Sequence, residues 1–126
     1  MTIRENTDVT LTMVNARMAA LEMGFDDPSS RQIATAVAEL ARNILKYAGE
    51  GSVIVKEIRR GKAIGLEVTA TDRGPGIEDV EAAMKDGFSS SGTLGLGLPG
   101  VRRMMDEVEI DTRRGDGTTI VARKWC

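Results

Sequence analysis

The sequence has 126 residues, with 17 lysines and arginines against 19 acidic residues, a net charge of -2 and only 3% aromatic residues. That length holds one hydrophobic core and little more, so a single domain over residues 1–126 is expected. Near-neutral charge and scarce aromatics exclude a typical nucleic-acid binder, and the complete lack of histidine excludes imidazole bases, histidine metal ligands and phosphohistidine chemistry.

Cys126 is the one cysteine, which rules out an internal disulfide and a cysteine metal cluster. The opening MTIRENTDVT carries no apolar stretch behind its charges, and no run of 18 apolar residues follows. A soluble protein of the reducing cytosol is expected, with no signal peptide and no membrane span.

In chain order, a short strand is followed by Val9, Met13, Ala16, Ala20 and Met23, spaced by three and four as one stripe of a helix that ends at Gly24. Asp27 as N-cap and Pro28 at the first helical position start a second helix. Ile33, Val37, Leu40, Ile44 and Ala48 carry its apolar face to Gly49. From Ser52 the pattern turns β-rich: Val53, Ile54, Val55 and Ile58, then Ile64, Leu66, Val68 and Ala70, form a hairpin around Arg59 to Ala63.

That second strand runs into Asp72, Arg73, Gly74, Pro75 and Gly76, which stop regular structure, and a short helix over 78–86 is expected next. Residues 87–100 hold five glycines and three consecutive serines and feed a helix marked by Val101, Met104, Met105 and Val108. A closing hairpin joins 108–112 to 118–122 around Arg113 to Gly117. This order lacks the regular strand and helix alternation of a doubly wound sheet. The expected class is α+β, a two-layer sandwich with helices on one face of a mixed, mostly antiparallel sheet.

Four pieces carry chemistry. Glu39 and Asn43 lie one turn apart on the face opposite the core stripe, where a carboxylate can orient or deprotonate a hydroxyl and an amide oxygen can ligate Mg2+. Asp72 is delivered at a strand end beside Gly74 and Gly76, placed to accept a hydrogen bond from an exocyclic amine such as that of adenine. Gly95, Gly97 and Gly100, in the string GLGLPG before a helix, suit a phosphate cradle. Thr118 and Thr119 follow Gly115 and Gly117 in the last turn, where a hydroxyl can complete a base pocket. Each piece alone also fits a solvated helix face, an ordinary turn or a plain hairpin.

Their order decides between these readings. The segments ELARN at 39–43, DRGPG at 72–76, GLGLPG at 95–100 and GDGTT at 115–119 resemble, in sequence, the N box and glycine boxes of the GHKL ATPase superfamily. The likeness covers essentially the whole chain and is strongest to that superfamily's switch serine/threonine kinases of the stressosome and anti-sigma regulatory branch. There it rests on ELARNILKYAG, DRGPGI, the phrase MKDGFSSSGTLGLGLPGVRRMMDE and the closing GTTIVARKW.

The resemblance implies the ATP-binding (Bergerat) fold, ATP and Mg2+ as cofactors, Glu39 as the catalytic carboxylate and Asn43 as metal ligand. It implies Asp72 as adenine acceptor, with Gly74, Gly76 and Ile77 beside it and Thr118 completing the nucleotide contacts. Residues 87–94 become an ATP lid, and Gly95, Leu96, Gly97, Leu98 and Gly100 the phosphate loop. One or two of Lys46, Lys85, Arg102 and Arg103 would touch phosphate or protein substrate, while Ser89, Ser90 and Ser91 are read as loop.

The implied partners are STAS-domain proteins as substrates and a PP2C-type phosphatase activated afterwards, with a homodimer also compatible. The alternative is a non-catalytic, nucleotide-gated binding module, against which the presence of Glu39 argues. A chaperone or topoisomerase ATPase would need further domains, and a histidine kinase would need its histidine.

Overall fold

A computed structural model describes residues 1–74, 97–113 and 115–126 of the chain. Among them lie β1 (Thr2–Ile3), α1 (Asn6–Met23), α2 (Asp27–Tyr47), β2 (Gly51–Arg60), β3 (Ala63–Asp72), α3 (Leu98–Met104), β4 (Glu107–Arg113) and β5 (Gly117–Trp125). The helix expected over 78–86 falls outside the described residues.

The strands form one open sheet in the order β1-β2-β3-β5-β4, and every described pairing is antiparallel. Period-two alternation gives the sheet two unlike faces. Val53, Leu66, Val68, Ala70, Ile120 and Ala122 are buried on one side, against the helices. Lys56, Glu67, Arg123 and Glu107, cross-strand neighbours in register, line the other. The molecule is thus a two-layer α+β sandwich with its helices on one face, as the order of elements implied.

α2 is the centre of the helical layer, packed on β2 and β3 and flanked by α1 and α3. Ile33, Val37, Leu40 and Ile44 are at most 2% exposed, the stripe read from the sequence. Ala34, Ala36, Ala38 and Ala41 are buried as well, and their small side chains let neighbouring helices come close on more than one side. Its start differs from expectation by one residue. Asp26 is the N-cap, its Oδ1 accepting the Ser29 amide at 2.8 Å, while Asp27 pairs with Arg17 and Arg31. The capping geometry selects the residue three before a waiting amide, and Pro28, one place further into the helix, still has no amide to satisfy.

α1 ends at Gly24 as expected, with the Gly24 amide reaching back to Ala20 and Leu21. The β2–β3 hairpin is longer than the apolar pattern suggested and closes on Gly61 and Lys62 between paired Arg60 and Ala63. α3 is shorter: Met105 turns extended, and Val108, at helical spacing from Met104, belongs instead to β4. Pairing with β5 outweighs the local period there, because Val108 faces Ala122 across the ladder. Among the described residues no helix is long and apolar enough to cross a membrane.

Candidate functional site

Because α2 commits its apolar stripe to the core, Glu39 and Asn43 emerge together on its flank, both partly exposed. Glu39 presents its two oxygens differently. Oε1 accepts from Arg42 Nη1 at 3.3 Å, an i,i+3 ion pair on the same helix. Oε2 lies against Gly97, the residue that caps α3 at its N-terminus.

Gly97 has a φ of 64°, a backbone conformation that side chains disfavour, and a Cβ built on it would collide with Glu39 Oε2. Glycine is therefore required there twice, by conformation and by the approach of the carboxylate. The contact is held from below by Leu98 and Val101, both 0% exposed, which pin α3 beside α2. Gly100 has open space by comparison, its nearest neighbour being the end of Arg103 at 3.9 Å.

At the other end, Asp72 closes β3 and turns its side chain onto the following backbone, with Oδ1 accepting the Gly74 amide at 2.8 Å. This bond fixes the carboxylate's direction at the sheet edge. Directly across the ladder stands Thr118, 7% exposed, whose hydroxyl meets that of Thr112 at 2.9 Å. Thr112 also donates to the Gly117 carbonyl at 3.2 Å, so Thr118 is the donor in the shared contact and keeps its own lone pairs for a further partner. Gly117, with a φ of 92°, lets β3 lie flat on the turn: a Cβ there would run into the Asp72 carbonyl.

Gly74 in turn packs on the end of α2, where an added Cβ would stand 2.8 Å from Ala48 Cβ and 3.1 Å from the Tyr47 carbonyl. The two glycine contacts mark out a line along α2, Gly97 beside Glu39 and Gly74 beside Ala48. The nine steps from Glu39 to Ala48 span about 14 Å at the helical rise of 1.5 Å per residue. Asp72 and Thr118 thus stand toward one end of this line and Glu39 with Gly97 at the other.

Among the described residues no group of three or more acidic or cysteine side chains gathers as a metal site. A cation held by Asn43 would therefore lean on phosphate oxygens for most of its ligands, the usual mode for Mg2+. A cleft of 570 Å³ bounded by Thr2, Arg4, Ala48, Gly51, Asp72 and Arg73 touches the Asp72 end from the sheet edge and does not reach Glu39 or Gly97.

Of the residues singled out from the sequence, Glu39 and Gly97 are in contact, Asp72 and Thr118 are cross-strand partners, and Asn43 sits one turn from Glu39. Leu98 is buried and supports α3 from its core side. Lys46 lies over the Tyr47 ring at 5.2 Å, and Arg102 and Arg103 are exposed in the last turn of α3. Gly76, Ile77, Gly95, Leu96, Lys85, Ser89 to Ser91 and the segment 87–94 lie outside the described residues. Sequence reasoning missed Arg42 and Thr112. The E-x-x-R spacing was legible for the first; the second follows only from the register of the closing hairpin.

The match to a family model, that of the histidine kinase-like ATPase domain, extends over residues 5–124. The chain belongs to the histidine kinase-like ATPase family. The chain is also 47% identical over 119 residues to the serine/threonine-protein kinase RsbT of Bacillus subtilis, covering 94% of this chain and 89% of that relative. An anti-sigma F factor of a Thermoanaerobacter species is 32% identical over 130 residues, covering 96% and 86%. Among solved structures, the catalytic domain of the histidine kinase ThkA matches in fold, with a TM-score of 0.57 at 17% identity over 98% of this chain and 93% of that one. These findings agree with the GHKL resemblance, with nucleotide use, and with the enzyme class expected from the sequence, which is that of the Bacillus relative.

Proposed function

We propose that residues 1–126 form one cytosolic ATP-dependent protein-serine/threonine kinase domain of a partner-switching pathway. Its substrate is a hydroxyl on a STAS-domain protein, and release from that protein frees it to activate a PP2C-type phosphatase. The observation that carries the kinase reading is the seating of Glu39 against Gly97, which sets a carboxylate at the foot of the glycine string. The identity to a serine/threonine-protein kinase supports the class.

When bound, Mg-ATP supplies the terminal phosphoryl group and the cation that neutralises its charge. Asp72 accepts from the adenine amine while Thr118 and the backbone at Gly74 border the base. Asn43 offers its amide oxygen to the cation. Glu39, oriented by Arg42, takes the proton of the acceptor hydroxyl as that oxygen bonds to phosphorus and the bond to the departing ADP oxygen breaks.

A second reading is a module that binds its partner under nucleotide control without transferring phosphate; the similarity to anti-sigma F factors supports the partner-binding part of it. Labelled Mg-ATP and a STAS protein separate the two. Phosphoserine or phosphothreonine on the partner, lost in Glu39→Gln while nucleotide binding is retained, supports the kinase. Tight binding without transfer to any STAS protein tested rejects it.

A further inference from the structure

The contact between Glu39 and Gly97 depends on a helix too short to hold itself. α3 has seven residues, fewer than an isolated helix needs, yet it is the element that sets Gly97 against Glu39. Leu98 and Val101 bury its inner side, but burial is non-directional and does not by itself fix where along its axis α3 comes to rest.

Directional contacts reach α3 at its far end, and β5 supplies them. The Lys124 ammonium donates to the Met104 carbonyl at 2.8 Å, in the last turn of α3, where carbonyls lack helical partners and a cation also suits the helix dipole. The chain neighbours of Lys124 grip the turn that follows: the Asp106 amide donates to the Arg123 carbonyl at 2.8 Å, and Asp106 Oδ2 accepts the Trp125 amide at 2.7 Å. The same ammonium is close enough to Asp26, the N-cap of α2, to add to the lowering of the Asp26 pKa that Ser29 dominates. One side chain on β5 is thus shared between the end of the helix that follows Gly97 and the start of the helix that carries Glu39.

We propose that Lys124 is a positioning residue for phosphoryl transfer: by holding the far end of α3 beside the start of α2, it sets the approach of Gly97 to Glu39. It acts at a distance, since Met104 lies about 10 Å along α3 from Gly97 at 1.5 Å per residue. Its role in transfer rests on the kinase reading above, whereas its hold on Gly97 is measurable without any activity. The sequence alone gives no sign of it, because the contact joins residues 20 positions apart through the packing of α3 on β5.

The test uses the full chain as wild type, Lys124→Met, which keeps the stem and removes donor and charge, and Lys124→Arg, which can still donate to the Met104 carbonyl. In amide NMR spectra the Gly97 resonance is expected to move in Lys124→Met and to stay near its wild-type place in Lys124→Arg. Arg123→Met, which disturbs the opposite sheet face, should leave Gly97 unmoved and so controls for loss of stability alone. With a STAS protein as acceptor, kcat should fall about tenfold in Lys124→Met while KM for ATP changes by less than about twofold, and Lys124→Arg should restore most of the rate. In a Glu39→Gln background Lys124→Met should lower the residual rate no further, because the group it positions is gone. An unmoved Gly97 amide, a full transfer rate in Lys124→Met, or an equal loss in the Glu39→Gln background overturns the proposal while the kinase reading stands. A wild type that transfers phosphate to no STAS protein removes the kinase reading, and this role with it.

Discussion

Glu39 is the residue on which the proposed chemistry depends, and its two contacts separate its roles. Glu39→Gln keeps the shape and the approach to Gly97 but removes the proton acceptor, so phosphoryl transfer should fall by about 10²–10⁴-fold, the range for loss of a general base. Nucleotide affinity, measured by calorimetry, should stay within a few-fold. Gly97→Ala tests the same junction from the other side. The new Cβ meets Glu39 Oε2 and imposes a disfavoured φ, costing about 1–3 kcal/mol and displacing the carboxylate, so melting temperature and transfer rate should drop together. A variant that melts like wild type and transfers at the full rate would show that the Glu39 and Gly97 contact is dispensable. Asp72→Asn replaces an acceptor-only group by one that also presents an amide donor; purine nucleotide affinity should fall about tenfold or more while the fold is kept, as read by titration.

At the scale of elements, α2 was the most legible part of the chain and also the one that organises the site. The period of Ile33, Val37, Leu40 and Ile44 fixed which face is buried, and that alone put Glu39 and Asn43 on the same flank. What the period does not encode is the partner. That Glu39 meets Gly97, that Asp72 stands opposite Thr118, and that Thr112 holds the Thr118 hydroxyl all depend on contacts across long sequence separations, set by register and packing. The expectation of Asp27 as cap, where the structure has Asp26, failed for a subtler reason: adjacent aspartates before a proline are equivalent in composition, and only the amide of Ser29 distinguishes them. α1 misled in the opposite sense. Its apolar residues surround the helix, so the buried stripe was found while the exposed row of Leu11, Val14, Met18 and Leu21 was not. The cap makes a further outcome testable. The Ser29 amide holds the Asp26 carboxyl below its ordinary pKa, so its stabilising effect is present above the usual carboxylate range and lost as pH falls through the lowered value. Asp26→Ala should lower the melting temperature at neutral pH and make no difference in strong acid, where wild type has lost the same bond.

On the scale of the whole molecule, the sheet separates two kinds of stability. Its helix-facing side is apolar, while its outer side carries a ladder of charge: Glu67 Oε2 accepts from Arg123 Nε at 2.9 Å, and Arg123 Nη1 reaches Glu109 at 2.6 Å and Glu107 at 3.4 Å. Arg60 completes the ladder, bonding Glu107 at 2.9 Å and lying 4.7 Å over the Trp125 ring, and that ring lies on Gly65 where no other residue leaves room. One guanidinium on β5 thus holds three carboxylates from two strands, β3 and β4, with an arginine side chain only 20% exposed. Hydrogen bonds from Arg60 and then Trp125 depress the pKa of Glu107, and Glu109 followed by Glu67 raises that of Arg123. The sign follows: Glu107 has a folded pKa below its unfolded one, so its contribution is complete above the ordinary carboxylate range and disappears as pH falls through the lowered folded value. Arg123 stays charged throughout that window. Arg123→Met keeps much of the stem and removes the charge, leaving Glu67, Glu107 and Glu109 to repel one another. It should cost about 1–3 kcal/mol at neutral pH by urea unfolding, and the loss should shrink toward acid as Glu107 takes up its proton. Because the ladder lies on the sheet face opposite the helices that carry Glu39 and Gly97, nucleotide affinity should be retained in this variant. A loss independent of pH would mean that the Arg123 stem, through packing, and not its charge, supports the sheet.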